Sequence, residues 1–332
     1  MPAASTRVVV YRVRRANLAY HLPFMTVRTF AGTAAAFLAV ALVCLTVAGW
    51  LGRIWWVFDI ASSFRVQYAV LLLPVALVSL LLHQRLLAAV SLVALVANIA
   101  MILPLYTSKP AAPDGNGRLE VVSFNMNFAN EQLDSVLESV RDSGADVVFL
   151  HEGTRVIERA VEAADLPYRA MSARRSGEKF GTIALLRVDA DAQIVDFQVP
   201  GIAVTVPLGD RNVEVLGIHP LSPVSRERSA ERDEELNAVA AWATAQQLPV
   251  VVTGDFNVST WSRGFSLISR QLVNSQLGFG VQASWPVGFR ALSVPIDHLL
   301  HSQDLTVVDR HLGPSLGSDH FPLFVTLAWA SK

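Results

Sequence analysis

The stretch VVVTGDFNVS, residues 250–259, runs from apolar and β-branched residues into a glycine, an acid and an amide. Its first four residues have the composition of a buried strand. Asp255 and Asn257 follow two positions apart, so on an extended segment both side chains lean to one face. Loops beyond buried strands are where α/β folds assemble their sites, and the stretch therefore predicts a site at this strand end.

The same arrangement recurs along the rest of the chain, where apolar runs repeatedly end in acids, amides or histidines. Because these ends alternate with helical patterns, we expect them to meet at one edge of a largely buried sheet. The candidates outside the opening stretch are Asn125 and Asn127 in SFNMN, Glu152 in FLHEG, His219 in LGIHP, Asp297 and His298 in PIDHLL, and Ser318, Asp319 and His320 in GSDHFP.

The pattern of apolar residues predicts an α/β sandwich over residues 119–332. Residues 131–144 and 225–247 have helical periodicity, and the first of these stretches ends at a glycine. The predicted strands cover residues 119–127, 145–153, 181–188, 202–208, 211–220, 248–257, 296–302 and 320–330.

The candidate residues fall into three chemical kinds. Glu152, with Asn125 or Asp319, offers the hard oxygen ligands that Mg²⁺ or Mn²⁺ prefers. Asp255 and Asn257 can hold and deprotonate a water molecule. The sequence contains these groups and no G-x-S-x-G nucleophile motif. This combination favours metal-assisted attack of water on phosphorus.

The third kind is an imidazole next to carboxylates. His320 follows Asp319 directly, and Asp297 lies on another predicted strand. A carboxylate that fixes His320 and keeps it cationic would suit the charge that develops on a phosphoryl oxygen.

Each candidate also has a purely structural interpretation. Glu152 alone is typical of a surface carboxylate, the DFN triplet is typical of a turn, and Ser318-Asp319 could cap a turn before His320. His298 is more typical of a structural residue than of a catalytic one. The functional interpretation rests on the whole set occurring in this order.

That ordered set resembles the successive motifs of the endonuclease/exonuclease/phosphatase superfamily over about residues 119–329. The resemblance implies a four-layer α/β sandwich and divalent-metal hydrolysis of phosphoesters. His151 before Glu152 departs from the pattern. By that pattern Glu152 binds the metal with Asn125 beside it, and Asp319 lies on the metal side. Asp255 acts on the attacking water or as the proton carrier, and Asn257 orients the phosphate. Asp297 supports His320, and His219 contacts a phosphate oxygen.

The front of the chain has a different composition. Residues 29–51, 66–82 and 86–106 are long apolar runs without charge, and the first would extend about 34 Å as a helix, enough for a hydrocarbon core of about 30 Å. A buried bundle in a soluble domain and a cleaved signal peptide are the alternatives, and three such runs argue against both. We therefore expect three transmembrane helices within residues 29–106, after a cytoplasmic N-terminus of residues 1–28 and before a linker of residues 107–118.

Positive charges predict how the chain crosses the membrane. Arg7, Arg12, Arg14, Arg15 and Arg28 precede the first span, which favours a cytoplasmic N-terminus. Three spans then place residues 119–332 outside the cell membrane, with residues 53–65 as an outer loop. The only cysteine, Cys44, lies in the first span, so no disulfide is expected in the outer domain.

Charge also bears on the substrate. Residues 1–113 hold nine of the 27 Lys and Arg residues and one of the 28 Asp and Glu residues. The remaining residues, 114–332, therefore carry a formal net charge of −9. Such a domain is poorly suited to polyanions, which makes nucleic acid an unlikely partner by this criterion. The 12-residue linker reaches at most about 40 Å, which keeps the domain near the bilayer and favours a lipid-linked phosphate.

The layout of three spans followed by this domain is similar to bacterial teicoplanin-resistance membrane proteins of the VanJ type. That resemblance implies undecaprenyl pyrophosphate as a candidate substrate, and Arg174, Arg175 and Lys179 could contact its diphosphate or form only a solvated basic loop. Two alternatives remain, an exported metal-dependent nuclease and a catalytically inactive membrane receptor that keeps the fold. No obligate protein partner is evident.

Overall fold

The structure is a computed structural model that describes residues 27–175 and 180–331. The side chains of the first two helical residues, Val27 and Arg28, are not described. The predicted cations Arg7, Arg12, Arg14, Arg15 and Lys179 lie outside the described residues.

Three apolar helical segments pack together at the front of the described chain. Thr29–Ala48, Trp56–Leu81 and Arg85–Ile102 are each long and apolar enough to cross a membrane. Because large side chains such as Phe37, Leu81 and Leu86 are more than 70% exposed, the outer surface of this bundle is itself apolar, as lipid contact requires. The helices are α1 (Val27–Ala48), α2 (Trp56–Ala61), α3 (Arg65–Leu81), α4 (Arg85–Ile102) and α5 (Pro104–Thr107).

The second apolar helical segment begins earlier than the run that predicted it. Residues 53–65, expected as an outer loop, contain α2 and a 3₁₀ turn that lead into α3. A polar contact joins the three helices where Arg65 donates to the Thr46 carbonyl and to the side chain of Asn98. Polar side chains that bond across helices are a common means of association within membranes.

The rest of the described chain forms two six-stranded sheets. One has the order β11-β12-β1-β2-β4-β3 and the other the order β5-β6-β7-β8-β10-β9. The strands are β1 (Leu119–Asn125), β2 (Val147–Thr154), β3 (Arg169–Ala173), β4 (Phe180–Leu186), β5 (Asp191–Asp196), β6 (Pro200–Leu208), β7 (Arg211–Gly217), β8 (Val250–Asp255), β9 (Val273–Asn274), β10 (Asp297–His301), β11 (Leu305–Leu312) and β12 (Leu323–Trp329).

The two sheets face each other across the main core, which includes Phe149, Val204 and Trp329. Helices α6 (Leu133–Ser143) and α7 (Arg155–Ala163) cover the outer face of the first sheet. Helices α8 (Arg226–Ala245) and α9 (Arg263–Ile268) cover the outer face of the second. The molecule is thus a four-layer α/β sandwich preceded by three long apolar helices, which confirms the predicted fold class.

The sequence patterns missed strands at the sheet margins. All eight predicted strands are present, but β3, β5, β9 and β11 were not predicted. In β3 and β5 buried and exposed positions alternate little, and most residues are exposed. These strands therefore lack the apolar signal of a buried strand.

The segment predicted as a linker packs against the domain that follows it. The Asp114 amide donates to the Trp329 carbonyl, and the Ser331 amide donates to the Ala112 carbonyl. Thr306 Oγ1 also donates to the Ala111 carbonyl at 2.7 Å. Residues 111–114 therefore form part of the sheet margin instead of a free tether.

Candidate active site

The strand directions bring the predicted residues to one edge of the two sheets, here called the catalytic edge. β1 and β2 are parallel, as are β7 and β8, so Asn125, Glu152 and Asp255 lie at corresponding ends and His219 follows β7. β10 is antiparallel to β8, with Asp297 opposite Asp255. The loop that carries Asp319 and His320 enters β12, which is antiparallel to β1.

Gly254 is needed because the backbone is crowded at the end of β8. A Cβ atom at this position would lie 1.8 Å from the Ile218 carbonyl oxygen and 3.4 Å from His151 Nε2. Only glycine allows this approach, which brings β8 close to the start of the His219 loop. The glycine in the opening stretch thus permits the two loops to converge.

A buried imidazole lies between two buried carboxylates. His320 Nδ1 is 2.9 Å from Asp297 Oδ2, and its Nε2 is 3.7 Å from Asp255 Oδ2. Burial alone would lower the pKa of His320, but the charges of Asp297 and Asp255 raise it to about 10. His320 is therefore a cation at neutral pH, held by Asp297 as the sequence predicted.

Asp255 differs from Asp297 in its proton affinity. Burial raises the pKa of Asp255 and outweighs the opposing charges of His320 and His219. Burial acts on Asp297 too, but its contact with His320 lowers the pKa of Asp297 below the usual value. Asp255 is the better proton acceptor of the two, as a general base requires.

Glu152 and His219 form a second charged pair. His219 Nε2 is 3.4 Å from Glu152 Oε1, and its Nδ1 is 3.7 Å from Asp255 Oδ2. Burial works against the charge of Glu152, yet His219, Asn125 and the Phe128 amide together lower its pKa to about 2. The same carboxylates overcome burial and raise the pKa of His219.

Asn125 connects the two groups of charges. Its Nδ2 donates to Glu152 Oε1 at 3.1 Å and to Asp255 Oδ2 at 3.0 Å. Its Oδ1 accepts from the Asn127 amide at 3.1 Å. Asn257 also contacts the site, because its backbone amide donates to Asp255 Oδ1 at 2.9 Å.

Three residues of the site have strained backbones. Among the described residues, the non-glycine positive φ angles include those of Asn127 (60°), Glu152 (60°) and Asn257 (54°). Such conformations persist where surrounding contacts hold them, and they are concentrated at functional sites. Their presence at or just beyond the ends of three separate strands of the catalytic edge supports assignment of this edge as the site.

Asp319 lies at the exposed margin of the site. Its oxygens accept from Asn127 Nδ2 and from Trp285 Nε1, both at 2.8 Å. Asn127 was a weak candidate in the sequence, and Trp285 was not identified because it lies on an irregular loop before β10. Its ring centroid is 6.3 Å from that of His320.

Two different groups of residues could be considered for a metal ion. Ligand atoms of Asp255, Asp297 and His320 lie within 4.8 Å of one another. A cationic imidazole has no free lone pair, however, so this group is better described as an imidazole paired with two carboxylates. Glu152 is ionised and, with Asp319, supplies the hard oxygens that suit Mg²⁺ or Mn²⁺. Asn125 as a ligand stays a prediction, since its amide nitrogen is the atom that faces the carboxylates.

His151 and His298 are both buried and have structural contacts. His151 bonds to Ser123 and Thr182, and its ring centroid lies 5.8 Å from that of His219. Burial chiefly lowers its pKa to about 3. The departure from the family pattern is therefore a neutral histidine beneath the site. His298 faces away from it, with Nε2 at 2.7 Å from the Val258 carbonyl.

The two arginines described in the predicted basic loop make different contacts. Arg174 pairs with Glu158 on α7. Arg175 lines a cavity together with Glu152, His219, Leu221 and Arg228. One predicted cation, Arg175, thus reaches the margin of the site, and Arg228 joins it from α8.

Solved structures with the same architecture include TDP2 proteins and a phosphatase. A humanized D. rerio TDP2 is 18% identical, with a TM-score of 0.56 over 63% of this chain and 98% of that chain. D. rerio TDP2 with a single-strand DNA product is 17% identical, with a TM-score of 0.53 over 63% and 98%. A mannosyl-6-phosphatase of Bacteroides thetaiotaomicron is 18% identical, with a TM-score of 0.50 over 64% and 100%. At these identities the likeness shows the fold alone.

Sequence comparison defines the family. A search of curated proteins finds no match. The model of the Endonuclease/Exonuclease/phosphatase family, in contrast, matches residues 122–320, more than half of the chain. That match extends from β1 to His320 and includes each of the site residues described above. The chain therefore belongs to the Endonuclease/Exonuclease/phosphatase family.

Proposed function

We propose that this protein is a membrane-anchored, divalent-metal-dependent phosphoesterase that hydrolyses a lipid-linked phosphate on the outer side of the membrane. Undecaprenyl pyrophosphate is the first candidate substrate. The observation that carries the proposal is that the catalytic edge lies beside the apolar helices. Arg232 Nη2 donates to Asp59 Oδ2 of α2 at 3.2 Å, and Nη1 of the same guanidinium is 3.4 Å from the Asn257 carbonyl.

The proposed chemistry assigns a separate task to each side chain. Asp255 takes a proton from the attacking water, which its raised pKa favours. His320, kept cationic by Asp297, stabilises negative charge on a phosphoryl oxygen. Glu152, with Asp319 and Asn125, would hold Mg²⁺ or Mn²⁺, which supplies a Lewis acid that polarises the phosphoryl group.

Other groups are suited to binding the phosphate. His219 presents an imidazole between Glu152 and Asp255, and these carboxylates raise its pKa. Asn257 orients the phosphate in this proposal, although its Nδ2 donates to the Pro220 carbonyl at 3.0 Å in this structure. Arg175 and Arg228 line the adjoining cavity and could bind a second phosphate.

Charge favours a lipid over a nucleic acid as the substrate. Non-specific nucleic-acid affinity rests on Lys and Arg that neutralise phosphates, and residues 114–332 have nine more acids than bases. An enzyme attached to the bilayer would also meet a lipid-linked substrate at high effective concentration.

The test is phosphate release by the full chain in nanodiscs that contain undecaprenyl pyrophosphate, with Mg²⁺ or Mn²⁺. We expect release by the wild type and loss of release by Asp255→Ala. The exposed carboxylate Asp309 provides a matched control, and Asp309→Ala should retain activity. No release by the wild type with either metal would contradict the proposal.

Parallel assays separate the alternatives. Cleavage of DNA in a nicked-plasmid assay, without release of phosphate from the lipid, would identify a nuclease. Calorimetry that detects no metal binding would support an inactive receptor. Protease accessibility of residues 119–332 in sealed vesicles tests the proposed outer location.

A further inference from the structure

Exposed apolar side chains cluster around the catalytic edge. Beyond residue 107, eight large apolar side chains of the described chain are exposed, and five of these lie on loops that enter or leave the strand ends of the site. Scattered exposed apolar residues are normal, but several of them on the loops of one site indicate a contact surface. The five are Phe128 (53% exposed), Val224 (72%), Trp285 (36%), Phe289 (59%) and Leu292 (45%).

Three of the five belong to one segment, residues 285–293, here called the lip. One end of the lip contacts the active site, because Trp285 Nε1 donates to Asp319 Oδ2 at 2.8 Å and the Val287 amide donates to the Asp319 carbonyl. The other end contacts a spanning helix, because Gln67 Nε2 of α3 donates to the Ser293 carbonyl at 2.9 Å. The lip thus connects the site to the helix bundle.

The helix directions place this contact at one end of the bundle. Gln67 lies in the first turn of α3, and the antiparallel helix α4 ends at Ile102. At that same end, Trp261 Nε1 donates to the Met101 carbonyl at 2.9 Å, and the Gly280 amide donates to the Leu105 carbonyl. With 17 residues, α3 extends about 25 Å, so its first turn lies near the bilayer surface when the helix spans the membrane.

The charge of the lip also differs from that of its domain. Its sequence, WPVGFRALS, has one cation, Arg290, and no acid, whereas residues 114–332 carry a net charge of −9. Segments that lie in the interface of a bilayer combine aromatic and aliphatic side chains with basic ones. The lip has this composition within an otherwise acidic domain.

We propose that the lip rests in the bilayer interface, with Phe289 and Leu292 among the lipid headgroups and upper acyl chains, so that the active site opens onto the membrane surface. The occupant of this apolar face is the lipid itself. The proposal deepens the proposed function, because a lipid-linked phosphoester would then enter beside Trp285 without leaving the bilayer.

The membrane contact can be tested without any substrate. In a Cys44→Ser background, a spin label at Phe289→Cys is compared with one at Leu248→Cys, which lies before β8 at the opposite end of the sheet. The full chain is placed in nanodiscs of phosphatidylcholine and phosphatidylglycerol. We expect the label at position 289 to be accessible to oxygen and protected from a water-soluble nickel relaxant. The label at position 248 should be accessible to the nickel relaxant and less accessible to oxygen.

Two outcomes would overturn the proposal. Equal access of the nickel relaxant to both labels would mean that the lip lies in water. Protection of position 289 from both oxygen and nickel would mean that protein covers it instead of lipid.

A kinetic measurement extends the test to function. The double variant Phe289→Ser/Leu292→Ser should raise KM for vesicle-embedded undecaprenyl pyrophosphate at least tenfold, and leave kcat/KM for soluble p-nitrophenyl phosphate within twofold. Equal loss on both substrates, or no change on the lipid, would contradict the proposal. If the wild type hydrolyses neither substrate, the function proposal fails, while the labels still decide whether the lip contacts lipid.

Discussion

Two clusters of buried charge lie near the catalytic edge, and they are built differently. The catalytic cluster consists of Glu152, His219, Asp255, Asp297 and His320. The junction cluster joins the α/β domain to the apolar helices. It consists of the buried Asp59 and Arg232, the half-buried Asp233 and the exposed Arg263.

The junction cluster satisfies its carboxylates. Asp59 Oδ2 accepts from Arg232 at 3.2 Å and Asp59 Oδ1 accepts from the Arg263 amide at 2.6 Å. Asp233 accepts from Arg232 at 2.6 Å and from Arg263 Nη1 at 2.8 Å. Two carboxylates thus meet two guanidinium groups, which is the balance expected where charge serves only to hold two parts together.

The catalytic cluster is composed differently. It holds three carboxylates with two imidazoles, the buried guanidinium of Arg310 donates to the Asp297 carbonyl at 3.4 Å, and Asp297 Oδ1 has no hydrogen-bond partner. Its carboxylates raise the pKa of both histidines. Buried charge alone therefore does not identify a site, and the feature that distinguishes this cluster is the pair of imidazoles whose pKa values the neighbouring carboxylates raise.

The strongest test of this comparison is His320→Gln. Loss of the cation between Asp255 and Asp297 should lower kcat for phosphate release by about 10²- to 10⁴-fold. The chain offers a matched control in His311, which is 2.6 Å from Asp309 but exposed. His311→Gln should change kcat less than twofold, and similar losses in both variants would refute the role of the buried triad.

The junction is tested by Asp59→Asn. The variant keeps an oxygen for the Arg263 amide but leaves the buried Arg232 with one carboxylate fewer, which should lower the free energy of unfolding by about 3 kcal/mol. Thermal unfolding in detergent micelles measures this change. The double variant Asp59→Asn/Arg232→Met should recover part of it, and an unchanged melting temperature for Asp59→Asn would contradict a structural junction.

Glu235 sharpens the comparison because it is a buried carboxylate that belongs to neither cluster. Burial raises its pKa to about 7, while the Leu221 amide, at 3.0 Å from Oε2, opposes the shift. Its contribution to stability is therefore fully present below pH 4.5 and is lost as the pH rises through 7.

Glu235→Gln keeps the bond to Leu221 and removes the titration. We expect it to stabilise the protein by about 2 kcal/mol at pH 8 and to have little effect at pH 4.5. Melting temperatures of both proteins across this range measure the difference, and an equal shift at both pH values would show that burial does not raise the pKa.

The smallest expected effect concerns the margin of the catalytic cluster. Trp285→Phe removes the hydrogen bond to Asp319 and keeps most of the aromatic surface. A lost hydrogen bond of about 1 kcal/mol corresponds to a roughly fivefold lower kcat/KM. Steady-state assays at several metal concentrations would check this, and an unchanged kcat/KM would show that Asp319 needs no support from Trp285.

Several parts of the site were accessible from the sequence because they are local. A buried strand that ends in Gly254, Asp255 and Asn257 is visible as a pattern of residue types, and so are the ends that carry Glu152 and His320. The eight buried strands were predicted for the same reason. The weakly patterned edge strands β3 and β5 were not, since neither face of them is consistently buried.

Other features depend on residues far apart in the chain. No pattern in the sequence pairs Asp59 with Arg232, because 173 positions separate them and each alone is an ordinary charged residue. Trp285 likewise becomes part of the site only because its loop folds back onto Asp319. The balance of charge in each cluster follows from such contacts and could not be read from spacing.

The apolar helices, the alternation of buried strands with helices, and the residue types at the strand ends can all be read from the chain alone, since each is a local run of side chains. Which charges are buried together, which pKa values shift and which loop joins the site to the helix bundle follow from the folded molecule. These properties depend on distances between side chains and on removal of water, and the packing of sheets, helices and loops sets both.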